Sequence, residues 1–472
     1  MQIIFFLILP ALVMFIVSFT HIKSAKYVLS FSSFLILIPA IKIFNLPKPF
    51  NLLDNYLIID KLNSYIFICV SVVAIAVSFA LLTLDKHVKM ENVEYHRFYR
   101  FFATFWIGLI LSILANNMGI FWIGLELATL STVYMIKTNK SSMASAEAWN
   151  YMLVGAIAVS LLLFGIILMY ASAKPILGEE AMDFSSLAIN ASKIPSPFLF
   201  EMGFAISAVG MFIKMGFFPM NLWLANIERA SFYPVAALFS GMLETAVMAG
   251  FFKFSKIAME VNYPHLFGFT LFYVFITLFM VAFLIYRAKD FIRLFALSGI
   301  EHMALIAIFW VSGGAFAALL HLGAHAFIKP ALFLSTGVLE SAGKYHFAGA
   351  LKGYKGVKGK IFWFLVGLFM LAIISLPPSP MFFSEIYGFG AMIDLAKKSD
   401  YLVLMLIVIV FIMILISVIF YRFVEVYQSM KYEGEAAEKR VYLSEIIALL
   451  IFVISLIVLM LPDSIAYLKS IT

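Results

Sequence analysis

The sequence predicts an all-α integral membrane protein of about fourteen transmembrane helices, and three observations predict it. Of the 472 residues, 64% are hydrophobic and 12% charged, more apolar surface than a soluble core of this length can hide, so the bilayer is the solvent. Apolar runs of roughly 20 residues, the length of one span, recur from end to end. Two of these runs are interrupted by proline, one at Pro219 and one at Pro377, Pro378 and Pro380, five helices apart. An odd offset reverses the direction of the second unit, which predicts two inverted five-helix repeats with broken helices 7 and 12.

The first run, 2-20, has no basic stretch before it and no small-residue cleavage pattern after it, so it reads as a span rather than a cleaved leader. Spans are expected next at 24-45 and 62-84. A continuous apolar run from 98 to 137 is twice too long, so it divides at Asn116-Asn117 into 98-117 and 118-137. Then come 147-172, 200-224, 233-256, 264-286, 291-311, 315-340, 359-392, 401-427 and 443-467. In the seventh, Pro219 removes the hydrogen bond to the Met215 carbonyl; in the twelfth, the prolines of Leu376-Pro-Pro-Ser-Pro380 cancel several in succession. Irregular backbone at membrane depth survives only where it lines protein or water, which makes paired breaks a pointer to a transport path. The expected organisation is N-terminal helices 1-3 over 1-97, a first repeat of helices 4-8 over 98-256, a second of helices 9-13 over 264-427, and helix 14 over 443-472. The longest polar connection, 173-199, holds Pro175, Pro195 and Pro197 and reads as an outer loop.

The single cysteine, Cys69, lies inside an apolar run, so the chain makes no intrachain disulfide and ligates no iron-sulfur cluster or cysteine zinc site. No cofactor is expected in it, and any redox chemistry belongs to partners. The net charge of +7 forms no basic patch interleaved with aromatics, which argues against nucleic acid. Topology explains it. The loops after odd-numbered helices, including Lys86, Lys89, Arg97, Arg100, Lys352, Lys355, Lys358 and Lys360, hold about twice as many basic residues as the other loops, placing them in the cytoplasm and both termini outside. Only Lys214 and Lys329 are expected within helices.

A charge at a helix centre costs about 2.5–3.5 kcal/mol on insertion scales, so Glu126, Lys214, Glu244, Lys329 and Glu385 would together cost about 15 kcal/mol facing lipid. They must face an interior. Glu126 has no other charge between Arg100 and Lys137, and is either a protonated packing group or functional. Burial lowers a lysine pKa while a nearby carboxylate raises it, so a Glu-Lys pair involving Lys214 that opens and closes can release and rebind a proton; a static ion pair is the competing reading. His321, His325 and Lys329 recur at four-residue intervals, nearly one face of one helix, and suggest a relay. Two histidines and a lysine fall short of a metal's ligand set, so no metal is expected. Glu301 and His302 are relay or packing groups. Glu244 is a link towards helix 11 or a partner of Lys214, and Glu385, beyond the triple-proline break, suits an exit. Glu147, Glu425 and Glu445 lie near expected helix ends, where water or headgroups solvate them.

Nearly the whole chain resembles the antiporter-like membrane subunits shared by respiratory complex I, the multisubunit Mrp sodium/proton antiporters and the energy-converting membrane-bound hydrogenases. The residues that carry the resemblance are Trp122-Ile-Gly-Leu-Glu126, Lys214-Met-Gly-Phe-Phe-Pro219 with Pro234-Val-Ala-Ala-Leu, Arg293-Leu-Phe-Ala-Leu-Ser298, and His321-x3-His325-x3-Lys329-Pro-Ala-Leu-Phe-Leu. The resemblance implies that Glu126 and Lys214 are a coupling ion pair, His325 and Lys329 a central polar axis, and Glu385 the terminal exit residue. Glutamate at that last position, within Pro-Pro-x-x-x-Phe-x-Ser-Glu, is most similar to the hydrogenase-associated branch, including the hydrogenase-4 F component. Two positions depart from the family: Glu244 stands where members often carry lysine, and Asn150 precedes Tyr151 where lysine is common. The chain is expected to resemble the shorter subunits, which lack the long lateral helix of the largest complex I member.

The expected function is a proton-translocating subunit of an energy-converting redox complex, itself without a catalytic redox site. Its partners would be other membrane subunits and a peripheral arm of iron-sulfur proteins, in the cytoplasmic membrane. The alternatives are a subunit of a sodium/proton antiporter and a non-transporting scaffold. Carboxylates bind protons or sodium, and spacing alone does not choose between them.

Overall fold

The computed structural model describes residues 2–19, 25–87, 92–139, 141–195, 197–261, 263, 265–288, 291–340, 357–397, 402–428 and 441–471. Of the basic loop residues named above, Lys89, Lys352 and Lys355 lie outside this set, as does the side chain of Glu425.

The chain is almost wholly helical. It begins with α1 (Gln2–Val17), α2 (Ala25–Ser32), a 3-10 turn and α3 (Leu37–Asn45). A short antiparallel hairpin follows, β1 (Phe50–Leu52) with β2 (Leu57–Ile59), which the all-helical expectation does not contain. Its tip sits on the turn between α6 (Asn92–Leu114) and α7 (Met118–Ile136): Asn116 N donates to the Tyr56 carbonyl at 2.9 Å. That turn lies at the expected Asn116-Asn117 division. Asn117 ends the ambiguity of one long run, because its Oδ1 accepts from Gly119 N (2.9 Å) and Ile120 N (3.3 Å) and so starts a new helix. Between hairpin and α6 run α4 (Lys61–Leu81), capped by Asp60, and α5 (Leu84–His87).

Helix α8 (Ser142–Leu177) is 36 residues long, well beyond the expected 147-172. Pro175 lies within its last turn, so much of the supposed outer loop is ordered as the end of α8, a 3-10 turn and α9 (Phe184–Asn190). Asp183 ties this segment to the α6–α7 turn through Asn117 Nδ2 (3.1 Å), and burial raises its carboxyl above the usual range.

The seventh expected span is broken, as the sequence implies, but its halves differ in extent. Helix α10 (Pro197–Lys214) stops at Lys214, the chain unwinds, and α11 (Leu222–Ala230) resumes and runs six residues past the expected end at 224. The turn depends on Gly216, whose φ of +75° a side chain would strain. Trp223 Nε1 donates to the Ile213 carbonyl (2.9 Å), which also accepts from Gly216 N (3.1 Å), tying α11 to the turn.

Helix α12 (Tyr233–Leu238) starts with Pro234 in its first turn and passes through one π-helical turn, Phe239–Leu243, into α13 (Glu244–Glu260). Next come α14 (Leu266–Tyr286), α15 (Phe291–Val311) and α16 (Ala315–Glu340), with Pro330 inside α16. The second break separates α17 (Val357–Ile373) from α18 (Pro380–Lys397), with Ser375 at φ +54°. The chain closes with α19 (Leu402–Gln428), α20 (Leu443–Leu459) and α21 (Pro462–Lys469), the last two bent by 67°.

By length and composition, nine helices among the described residues are able to cross a membrane, or ten if α20 and α21 count as one span. The expected number of fourteen is not established on that criterion, since α1 has only 16 residues and α17 only 17. An 18-residue stretch of each of the spans α12–α13, α15 and α16 is wholly buried, and these helices form the centre. Peripheral helices expose large apolar side chains, such as Phe272 and Phe279 on α14 and Val410 and Met413 on α19, in keeping with a lipid-facing rim. Small residues set the closest crossings. An added Cβ at Gly124 would stand 2.7 Å from the Gly108 carbonyl oxygen, so α6 and α7 touch backbone to backbone.

Candidate proton pathway

Three groups of buried titratable side chains lie along the central helices. In the first, Lys214 is the last residue of α10, where the negative end of the helix dipole favours a cation. Its ammonium donates a short hydrogen bond to Thr129 Oγ1 on α7. Thr132, one turn on, shares a hydrogen bond with the Tyr151 hydroxyl (3.0 Å), and the Tyr151 ring stacks on Trp223 of α11. Glu126 lies one turn before Thr129, within electrostatic reach of Lys214. The two do not form an ion pair within 4.0 Å: threonine takes the lysine, and Glu126 Oε2 is buried without a hydrogen bond. Asn150, by contrast, is exposed and donates to Glu147 (3.4 Å), so that family departure lies off this polar run.

The second group surrounds Lys329 on α16. Its ammonium donates to Ser298 Oγ of α15 at 3.5 Å and feels the charges of Glu228, Glu244 and Glu301. Glu244 begins α13 just after the π turn, a distortion that rotates it relative to a regular helix, and its Oε2 stands 3.9 Å from His325 Nε2. Glu228 Oε2 and both carboxylate oxygens of Glu244 and Glu301 are buried without hydrogen-bond partners. Gly299 makes room for the lysine head: a Cβ there would lie 2.9 Å from Lys329 Cε and 3.0 Å from Nζ.

The third group spans the second break. His302 Nε2 of α15 donates to the carbonyl of Ile373, the last residue of α17, at 3.0 Å; His302 Nδ1 faces His321 Nε2 of α16 at 3.0 Å. His321 Nδ1 meets Ser384 Oγ of α18 at 2.8 Å, and Ser384 donates to the Met381 carbonyl at 2.7 Å. Glu385 accepts a short hydrogen bond from Ser375 in the break. One carboxylate oxygen of Glu385 and one ring nitrogen each of His302 and His321 all lie within 4.8 Å of one another.

The histidine-lysine ladder of the sequence therefore shares a helix, while each member's nearest polar contact is a different residue. His321 turns to His302, His325 to Glu244 and Lys329 to Ser298. Sequence reasoning misses Glu228, because the seventh span was ended at 224 and Asn226-Ile-Glu-Arg229 fell outside it; the apolar-polar alternation continuing past Trp223 was the available signal. It assigns no role to Ser298 and Ser384, although both stand in the motifs that carry the family resemblance, and it misses Ser375, which carries no pattern in sequence. Lys253 is a third lysine buried within a helix, where only two were expected; it donates to the carbonyls of Ile113 (2.7 Å) and Ala115 (2.9 Å), capping the end of α6. Glu445 is not solvated at a helix end: it is buried, accepts from Thr83 Oγ1 (3.0 Å) and Tyr442 N (2.9 Å), and pairs with His87.

Residues 115–417, well over half of the chain, match the family described as NADH:quinone oxidoreductase/Mrp antiporter, TM. The chain belongs to this family. Among curated members of related name, a hydrogenase-4 component F homolog of Methylacidiphilum infernorum is 33% identical over 299 residues, covering 62% of this chain and 61% of its own length. The match thus spans less than two thirds of that relative. An NADH-quinone oxidoreductase subunit N of Flavobacterium psychrophilum is 21% identical, covering 76% of each chain. A chain of the membrane-bound sulfane sulfur reductase, an archaeal respiratory membrane complex, superposes with a TM-score of 0.84 at 18% identity, over all of this chain and 96% of that one. It shares the fold of this antiporter-subunit family, a multi-span all-α membrane architecture.

Proposed function

We propose that the chain is the proton-translocating antiporter-like subunit of an energy-converting redox complex of the membrane-bound hydrogenase or complex I type. The observation that supports this most is the succession of titratable groups through the molecule, from half-buried Glu126 and buried Lys214, through Glu228, Lys329, Glu244 and His325, to His302, His321 and Glu385. Each charge there is costly in a membrane interior unless function retains it. In this reading Lys214 exchanges Thr129 for Glu126 when the first break shifts, and the change in field passes to Lys329 through Glu228. Protons then leave by way of the two facing imidazoles and Glu385. The carboxylates around Lys329 allow Glu244 to replace the family's lysine without interrupting the series. Inverted repeats over 98-256 and 264-427 suit the two breaks, each of which carries one residue in the left-handed region.

The partners in this reading are other membrane subunits and a peripheral arm of iron-sulfur proteins in the cytoplasmic membrane, with both termini outside. The test is the intact complex in sealed vesicles. Replacing Lys214 by methionine, which keeps the apolar stem, should cut proton uptake at least about tenfold per electron transferred, the effect of roughly 1.4 kcal/mol on one step. Normal uptake in that variant would refute the assigned roles. Uptake that requires sodium would favour the sodium/proton antiporter reading.

A further inference from the structure

We propose that His302, His321 and Glu385 form a binding site for a divalent transition-metal cation of zinc-like ligand preference. Two imidazole nitrogens and one carboxylate, from three different helices, converge within 4.8 Å of one another. Two nitrogens and an oxygen, with a fourth position left for a water, are a set that Zn2+ accepts. The facing nitrogens stand 3.0 Å apart, against roughly 3.3 Å for two tetrahedral ligands at bonds of about 2.0–2.1 Å, so a few tenths of an ångström accommodate an ion.

The groups behind the ligands are also those a metal site needs. A ligating histidine usually donates its other ring N–H to a carbonyl or similar acceptor, fixing ring and tautomer. His302 Nε2 has the Ile373 carbonyl, and His321 Nδ1 has Ser384, whose own hydroxyl is turned to the Met381 carbonyl. Counting protons sharpens the point. Four hydrogen bonds run between those two carbonyls, but two neutral imidazoles and one hydroxyl bring only three protons. With both ends filled, the one proton of a neutral His321 serves either Ser384 or His302; in the tautomer that donates to Ser384 the gap falls between the facing nitrogens, leaving two lone pairs directed at each other in a buried place. A cation resolves that: an extra proton or a metal ion. The second oxygen of Glu385, the one Ser375 does not engage, is left for the metal, and the exposed stretch Leu376–Pro378 beside Ser375 is the way in.

Occupancy would bind α15, α16 and α18 together and take the proton's place between the imidazoles. That blocking effect rests on the pathway reading above; binding does not. The test is the full chain in lipid nanodiscs, stripped with chelator and titrated with Zn2+. One equivalent should bind, and X-ray absorption at the zinc edge should report two imidazole ligands. His321→Asn and Glu385→Gln should each weaken binding by about 100-fold or more, and Ser384→Ala by roughly 10- to 100-fold, while Lys214→Met binds as the parent does. Zn2+ should raise the unfolding temperature of the parent and not that of His321→Asn, a readout that also shows whether the variant is folded. Equal affinity in the folded ligand variants, or an all-oxygen coordination shell, would overturn the site. In vesicles containing the intact complex, Zn2+ should halt proton uptake at the concentration that fills the site; full binding with undiminished uptake would overturn the blocking effect and leave the site standing.

Discussion

Gly299 offers the most selective probe of the lysine at the molecule's centre. A methyl group there collides with the end of a flexible side chain rather than with backbone, so Gly299→Ala should fold while displacing the Lys329 ammonium from Ser298. Proton uptake should fall about tenfold or more with little change in melting temperature; a variant that melts normally and pumps normally would show that the position of this ammonium is immaterial. Glu228 makes a complementary case. Glu228→Gln keeps the volume and removes a charge that acts on Lys329, so uptake should again drop by about an order of magnitude, and unaltered uptake would remove Glu228 from the path. Of these residues the sequence reveals Lys329 by its isolation in an apolar run, whereas Gly299 is one of 26 glycines and nothing marks it until the neighbouring helix is in place.

Among the elements, the breaks and the close crossings carry the geometry. Gly216→Ala forces a side chain into the left-handed region and against Ile300, 3.1 Å from the added carbon, and should cost about 1–2 kcal/mol. The expected result is a lower melting temperature in nanodiscs together with a weakened response of α11; an unchanged melting curve would mean the turn tolerates other backbone forms. Prolines announce both breaks in sequence, since each removes a helix hydrogen bond, although α16 runs on through Pro330. Their extent is less legible. That α11 runs on to 230, with Trp223 near its start bonded to the Ile213 carbonyl, is visible only in the structure. The hairpin escapes notice for a similar reason: strands of three residues are too short for an alternating pattern, and the fold holds them through Asn116. The π turn before Glu244 has no sequence signature at all.

At the scale of the whole molecule, composition and the spacing of apolar runs were enough to read a polytopic helical bundle, because the bilayer permits so few alternatives. What they leave open is which helices meet. The relay looked linear along α16, yet the polar contacts run sideways to α15, α13 and α18, as a bundle that buries its charges on facing helices requires. Orientation is the whole-molecule property most open to experiment, and Cys69 supplies the means. Being the one cysteine and buried, it leaves the chain a single, poorly exposed thiol as background for thiol chemistry. A reporter introduced as Ser145→Cys, on the exposed first turns of the 36-residue α8, should react with a membrane-impermeant maleimide in inverted vesicles and stay dark in whole cells. Labelling from the cell exterior would turn the topology over. No native cysteine has to be sacrificed first, so each loop can be surveyed in turn with the molecule otherwise untouched.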